Sequence, residues 1–214
     1  MNSTVVSALS TLAAAFLGAL AAFLLQDCRN RRAEEDQQRA AANRAIFDLS
    51  LIWNSLEQFR REIVEPVRHS RAPWLEMGAA ISTNFDRVGF DFDQLFFLVE
   101  KDKAELLQRL NLEQSRYRIT LSLIEERSGL VLNRLQPTME SLGYAADGEI
   151  DLRRLEHELG PELTWKLKSL TDSIIGFVDE NLASIEQLND DLTSEIKRLY
   201  KGKRVLEVKY PKAA

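Results

Sequence analysis

The chain has 214 residues, a formal net charge of −5, one cysteine and two histidines. A single cysteine excludes a disulfide within the chain, and two isolated histidines are a poor basis for a metal site. Affinity for a phosphate backbone depends on basic contacts, so an acidic chain is a poor general nucleic-acid binder. We therefore expect no nucleic-acid partner and no metal.

The N-terminal segment is uncharged through residue 26, and residues 5–25 are almost wholly Val, Leu, Ala and Phe. Helical residues rise about 1.5 Å each, so this stretch reaches roughly 31 Å, close to the thickness of bilayer hydrocarbon. The length predicts a transmembrane helix over 5–26 after a short extracytoplasmic N-terminus at 1–4. A cleaved signal peptide or an inverted segment is the alternative, although the apolar core is too long for a signal peptide and no basic residue precedes it.

Arginines follow the apolar segment at once, at Arg29, Arg31 and Arg32. Cytoplasmic flanks of membrane helices are enriched in Lys and Arg, so the expected protein is single-pass, with its N-terminus outside and its body in the cytoplasm, as in a bacterial inner membrane. Residues 27–44 are rich in good helix formers and predict a helical stalk. Cys28 lies at the boundary, as an unmodified thiol or an acylation site.

Small residues recur every four positions in the apolar segment. Such rows allow close approach of helices, so they predict a self-association face, although an Ala-rich segment also produces them by chance. The row consists of Ser10, Ala14, Gly18 and Ala22.

Residues 45–200 predict an all-α, antiparallel helical bundle with long, coiled-coil-like helices. Apolar residues recur at steps of three and four from Ala45 until Pro66 ends the first helix, and Pro73 is a plausible first helical position of a short one. Residues 84–93 are too aromatic for a free loop and predict a packed connection. Residues 95–99 are apolar all round and predict a short helix in the centre of the core.

The second half of the bundle begins at Asp102, which is the expected N-cap of a long helix with Glu105 in the capping-box position. Gly143 is expected to stop this face, and Asp151 to cap a short helix ending at Gly160. A continuous stripe then predicts a helix of about 39 residues over 161–199, roughly 58 Å long. Its period favours antiparallel packing in a bundle over a strict zipper.

The C-terminal residues 201–214 form a predicted basic tail. With the end of the last helix they carry seven basic residues against Glu207, a formal charge of +6. The tail is a candidate surface for anionic lipid headgroups, and a solvated, disordered end is the alternative. The β-prone run at 205–210 could also extend along a partner. The basic residues are Lys197, Arg198, Lys201, Lys203, Arg204, Lys209 and Lys212.

Catalytic signatures are missing from the sequence. His69 and His157 have no metal-spaced partners, and the Ser-x-x-Lys spacing at Ser194 lacks the other motifs of those hydrolases. The acidic run at 147–151 matches the middle of a calcium loop, but the ligand positions around it are occupied by non-ligating residues. We expect no cofactor and no enzymatic activity.

The predicted function is that of a membrane-anchored helical interaction or scaffold protein that self-associates or binds another helical protein. One alternative is a membrane-linked signalling or effector accessory protein, in which long helices transmit a change to a partner. The other is an enzyme or small-molecule binder with a site in the bundle core.

Overall fold

The computed structural model describes residues 3–80, 88–144 and 150–211, with side chains described from Phe16 onward. All regular structure in these ranges is helical, so the predicted all-α fold is confirmed. Two of the helices end in a π-helical turn. The helices are α1 (Ser3–Phe59, continued by a π-helical segment Arg60–Val64), α2 (Pro73–Glu76), α3 (Phe92–Leu95), α4 (Phe97–Glu100), α5 (Ala104–Leu130, continued by a π-helical segment Val131–Leu135), α6 (Gln136–Ser141), α7 (Leu152–Leu159) and α8 (Pro161–Leu199).

The prediction of a single-pass membrane protein is contradicted. Within the described part of the chain, no helix is both long enough and apolar enough to cross a bilayer. The part of the predicted span whose side chains are described, residues 16–26, covers about 16 Å and leads directly into the charged residues that begin at Asp27. The side chains of residues 5–15 lie outside the described set. The predicted transmembrane helix at 5–26, and the orientation and location derived from it, are therefore wrong.

Three long helices form the bundle, and α8 packs against both α1 and α5. The residues that bond across the two helices run in opposite order: Tyr200, at the end of α8, bonds Gln38, and Glu186, earlier in α8, bonds Trp53, later in α1. The bonds between α5 and α8 show the same order, because Glu113 bonds Ser184 and Arg127 bonds Thr171. Helix α8 is therefore antiparallel to both of its neighbours, as the hydrophobic period predicts.

The main core lies along α8, whose stripe residues Ile174, Leu182, Leu188 and Ile196 are all buried. A second, smaller core brings Leu155 and Leu159 of α7 against Leu167 of α8, with Trp74 and Leu135. The sequence predicts a helix of about 39 residues here, and α8 has 39 residues.

The short helices α3 and α4 fill the space between α1 and α5. Leu95, Phe97 and Leu98 are buried there, whereas Phe96 is 56% exposed. The prediction of a helix buried all round is therefore wrong on one face. The preceding connection is anchored by Phe90, whose backbone N–H donates to the side-chain amide oxygen Oε1 of Gln114 at 2.7 Å. Residues 81–87 of that connection lie outside the described ranges.

Helix starts are predicted well at Asp151 and wrongly at Asp102. The Asp151 carboxylate accepts hydrogen bonds from the N–H groups of Arg153 and Arg154, as an N-cap should. Asp102 instead has a positive φ of 56° and belongs to the turn after α4, where its N–H donates to the Val99 carbonyl. Lys103 takes the N-cap position of α5 without a side-chain cap.

Candidate interaction surfaces

The N-terminal part of α1 projects beyond the bundle. We call residues 16–37 the arm; its side chains are exposed, apart from the half-buried Asp27. No described hydrogen bond or ion pair joins residues 16–35 to another helix. The large apolar side chains of the arm are 44–71% exposed: Phe16, Leu17, Leu20, Phe23, Leu24 and Leu25.

The leucines of the arm continue the face that α1 turns toward the core. Leu20 and Leu56 are 36 residues apart, which is about ten turns of 3.6 residues, so their side chains leave the helix in the same direction. Leu56 is fully buried in the bundle, and Leu20 is 44% exposed. The described bundle provides a partner helix for this face only from Gln38 onward, where α8 ends.

Only half of the predicted self-association row has described side chains. Gly18 and Ala22 are exposed on the arm, and the side chains of Ser10 and Ala14 lie outside the described set. At about 100° per residue, Gly18 lies some 200° around the helix from Leu20, so the small residues and the leucine stripe occupy opposite faces. The space around Gly18 is open, with nothing within 4 Å of a Cβ built there.

The arginine flank is solvent-exposed on the same arm. Arg29, Arg31 and Arg32 are all exposed, and Arg31 Nε lies 3.0 Å from the Asp27 carboxylate one turn earlier. An acidic group follows at Glu34, Glu35 and Asp36, so basic and acidic blocks alternate along the arm. Cys28 is an exposed free thiol on this segment.

The predicted basic tail is packed against the bundle. We call residues 204–211 the strap; it is extended and lies in the groove between α1 and α8. Arg39 donates to the Arg204 carbonyl, and the Leu206 N–H donates to Asn43 Oδ1 at 2.8 Å. Asn189 of α8 donates to the Val208 carbonyl at 3.2 Å. The strap is thus bonded to both helices.

Several basic residues of the predicted tail are engaged in ion pairs. Lys197 pairs with Glu207 of the strap at 2.8 Å, and Lys203 lies 3.8 Å from Asp36 of the arm. The ion pair with Arg198 holds the pKa of Glu195 below its usual value. Lys201 and Lys209 are exposed, and Lys212 lies outside the described residues. Binding of the tail to lipid headgroups stays a prediction.

Tyr210 attaches the end of the strap to α1. Its ring lies 4.7 Å from that of Trp53, and Trp53 in turn donates from Nε1 to Glu186 of α8 at 3.0 Å. Burial, with the nearby charges of Glu186 and Asp190, raises the pKa of Tyr210. The Tyr210 hydroxyl is buried without a hydrogen-bond partner. The strap is therefore held by aromatic packing at its end.

A buried arginine joins three parts of the fold. Arg127 of α5 is 2% exposed, and its Nη2 donates to the carbonyls of Trp74 and Met77 while Nε donates to Thr171 Oγ1. Burial lowers the pKa of Arg127 to about 10. Its partners are neutral oxygens, so it holds α2 and the residues that follow it against α8. The sequence analysis missed this residue, because its partners lie about fifty positions away in the chain.

Trp165 is a second residue that the sequence patterns did not single out. It is the most exposed large apolar side chain of the described bundle outside the arm, at 69%. Its available signal was an aromatic residue lying off the buried stripe of α8. His157 is on α7 beside it, and His69 lies in the turn after α1. Among the described residues, no group of three His, Cys, Asp or Glu side chains is placed to hold a metal ion.

Comparisons with known proteins give no match: no family model, curated protein or solved structure resembles this chain.

Proposed function

We propose that this protein is a helical interaction module that self-associates through the arm of α1. The observation that supports the proposal is the leucine stripe of the arm, which continues the core face of α1 and has no partner among the described residues. Leu17, Leu20 and Leu24 are 63%, 44% and 55% exposed. Contiguous exposed apolar surface of this kind is typical of a binding surface.

A second copy of the arm fits this face. In the bundle the same face of α1 is covered by an antiparallel helix, α8, and beyond Gln38 that cover ends. Two arms packed antiparallel, with Leu17 of one copy facing Leu24 of the other, would give each leucine stripe an equivalent apolar partner. An isologous contact of this kind is self-complementary and closes as a dimer.

The antiparallel orientation follows from the position of the bundle. In each copy α8 covers the same side of α1 that the leucines occupy on the arm, so a parallel partner helix would meet the bundle of the first copy. In the antiparallel arrangement the two bundles lie at opposite ends of the paired arms. The exposed Cys28 residues then lie about 22 Å apart along the helix axis, whereas a parallel pair would bring them side by side.

The test is the oligomeric state of the purified full-length chain, measured by sedimentation equilibrium. We expect a dimer, and we expect Leu20→Glu combined with Leu24→Glu to shift the population to monomer. Leu132→Glu is the matched control, because Leu132 is a similarly exposed leucine, at 48%, on the π-helical continuation of α5 and outside the arm. A monomeric wild-type chain, or an equal loss of dimer in the control, would contradict the proposal.

Two further measurements locate the contact. Gly18→Ile adds bulk to the opposite face of the arm and should leave the dimer intact; loss of the dimer in this variant alone would assign the contact to the small-residue row instead. Mild oxidation should yield little disulfide between Cys28 residues. Rapid and complete formation of a Cys28 disulfide dimer would overturn the antiparallel arrangement.

A further inference from the structure

A surface cavity lies where α7 folds back on the start of α8. Gly160 joins the two helices with φ 79° and ψ 158°, a conformation that only glycine adopts readily, and Pro161 begins α8. Leu155 and Leu159 bury the opposite face of α7 in the second core. The cavity has a volume of about 510 Å³ and is lined by Arg153, Glu156, His157, Pro161, Thr164, Trp165 and Lys168.

The electrostatic character of the cavity is positive. Helix α8 has 39 residues and begins without a side-chain cap at Pro161, which has no N–H, so the unpaired N–H groups at this end are those of Glu162 and Leu163. The positive end of the helix dipole lies here as well, with the Glu162 carboxylate in the same first turn. Lys168 neutralises Glu156 through a contact of 2.7 Å. Arg153 and His157 lie one turn apart on α7, and neither has an ion-pair partner within the described chain. An anion at this point would meet an uncapped helix end and an unpaired guanidinium.

Thr164 provides an independent indication of a ligand. It is 6% exposed and lines the cavity, yet its Oγ1 has no hydrogen-bond partner. Other buried threonines of the bundle, Thr120 and Thr171, donate to the carbonyl four residues earlier. Buried hydroxyl groups are normally paired. Thr164 therefore brings an unpaired buried hydroxyl to a residue that lines the cavity.

Trp165 gives the cavity an aromatic wall. It is 69% exposed, although its neighbours on α8, Thr164 and Leu167, are buried. An exposed indole beside a cationic site is suited to stack on a planar ring, and stacking on an aromatic side chain contributes about 1–3 kcal/mol per base in nucleic-acid complexes. The volume falls within the range of about 300–1,000 Å³ that small-molecule sites occupy.

We propose that this cavity binds a small ligand that combines a planar aromatic ring with a carboxylate or phosphate group. The ring stacks on Trp165, and the anionic group lies between the start of α8 and the Arg153 and His157 side chains, with the Thr164 hydroxyl as a further donor. This site is separate from the arm, so it does not depend on self-association.

The test is titration of the full-length chain with four probes, followed by calorimetry and by the NMR signal of the Trp165 indole N–H. Adenosine monophosphate and indole-3-acetate carry both a ring and an anionic group, adenosine carries the ring alone, and inorganic phosphate carries the anion alone. We expect binding of one or both of the first two with a shift of the Trp165 signal, and at least fivefold weaker binding of the last two. The preferred probe distinguishes a phosphate from a carboxylate ligand.

The variants assign the contacts. Arg153→Ala and Trp165→Leu should each weaken binding of the preferred probe at least fivefold, and Thr164→Val should weaken it about threefold without lowering the melting temperature. Arg118→Ala removes an exposed arginine elsewhere on the bundle and should leave binding unchanged. No shift of the Trp165 signal with either ring-bearing anion would overturn the proposal, as would equal binding of inorganic phosphate or an equal effect of Arg118→Ala.

Discussion

Trp53 and Tyr210 lie with their ring centroids 4.7 Å apart, so the middle of α1 is in contact with the last described residues of the chain. The pair is separated by more than 150 positions in the sequence. Through Trp53 Nε1 and Glu186 it also reaches α8. This contact makes the strap part of the bundle.

Tyr210→Ala should destabilise the bundle by about 1–2 kcal/mol, because it removes a partly buried aromatic ring from the Trp53 contact. Chemical denaturation followed by tryptophan fluorescence measures the free energy of unfolding and the environment of Trp53. Lys209→Ala is the control, since Lys209 is exposed on the same strap. Equal stability of the two variants would show that the strap is not held by Tyr210.

The attachment of the α8 end and the strap should weaken at alkaline pH. Burial raises the pKa of Tyr200 to about 12 and also raises that of Tyr210, so the folded chain favours both neutral phenols. A raised pKa contributes stability that is fully present below the unfolded pKa of about 10 and is lost as the pH rises through the folded value. Urea unfolding at pH 8 and pH 11 should show this loss.

The control for that measurement is a chain carrying Tyr200→Phe and Tyr210→Phe. It lacks both titrating phenols, so its stability should fall less between the two pH values. If the double variant loses as much stability as the wild type, other groups carry the alkaline transition.

Arg127→Ala should cost about 3 kcal/mol or more. The substitution leaves the carbonyls of Trp74, Met77 and Gly78 without their donor in the interior, and an unsatisfied buried polar group costs roughly 1–3 kcal/mol. Arg134→Ala, at an exposed position of α5's π-helical continuation, should change the free energy of unfolding by less than about 0.5 kcal/mol. A loss below about 1 kcal/mol at Arg127 would mean that water replaces the guanidinium.

Replacing either of two glycines, one within α8 and one directly before it, by alanine should change the stability of the fold in opposite directions. Gly176 is an exposed glycine within α8, and a Cβ there meets nothing within 4 Å, so Gly176→Ala should stabilise by about 0.5–1 kcal/mol. Gly160 has φ 79° and ψ 158°, so Gly160→Ala should destabilise by roughly 1–3 kcal/mol. Thermal melting of both variants checks this, and a stabilising Gly160→Ala would contradict the described turn between α7 and α8.

Local sequence patterns predict the helices well where one face is continuously apolar. The stripe of α8 and the cap at Asp151 depend on neighbours within four residues, which is the range that a single sequence displays. Asp102 has the same local pattern, but the turn that closes α4 places it outside the helix. Its conformation is decided by contacts that follow from the fold.

The surfaces are less predictable than the helices. The run at 205–210 is β-prone, yet it pairs with side chains of α1 and α8, and nothing in its own residues specifies Asn43 or Asn189 as partners. Arg127 resembles any other helix-surface arginine in sequence. The apolar segment indicated a membrane helix from length and composition, and the described residues do not bear that out.

Helix α1 enters the core and carries the arm on one backbone of 57 residues. From Gln38 to Phe16 the helix extends about 33 Å beyond the bundle, so a change in its direction at Gln38 displaces Phe16 in proportion to that length. A change of about 5° in the direction of α1 at Gln38 would move Phe16 by about 3 Å. A small change in the packing of α1 beneath the strap would therefore cause a larger displacement at Phe16. A partner bound at Phe16 would in turn alter the packing of α1 in the core.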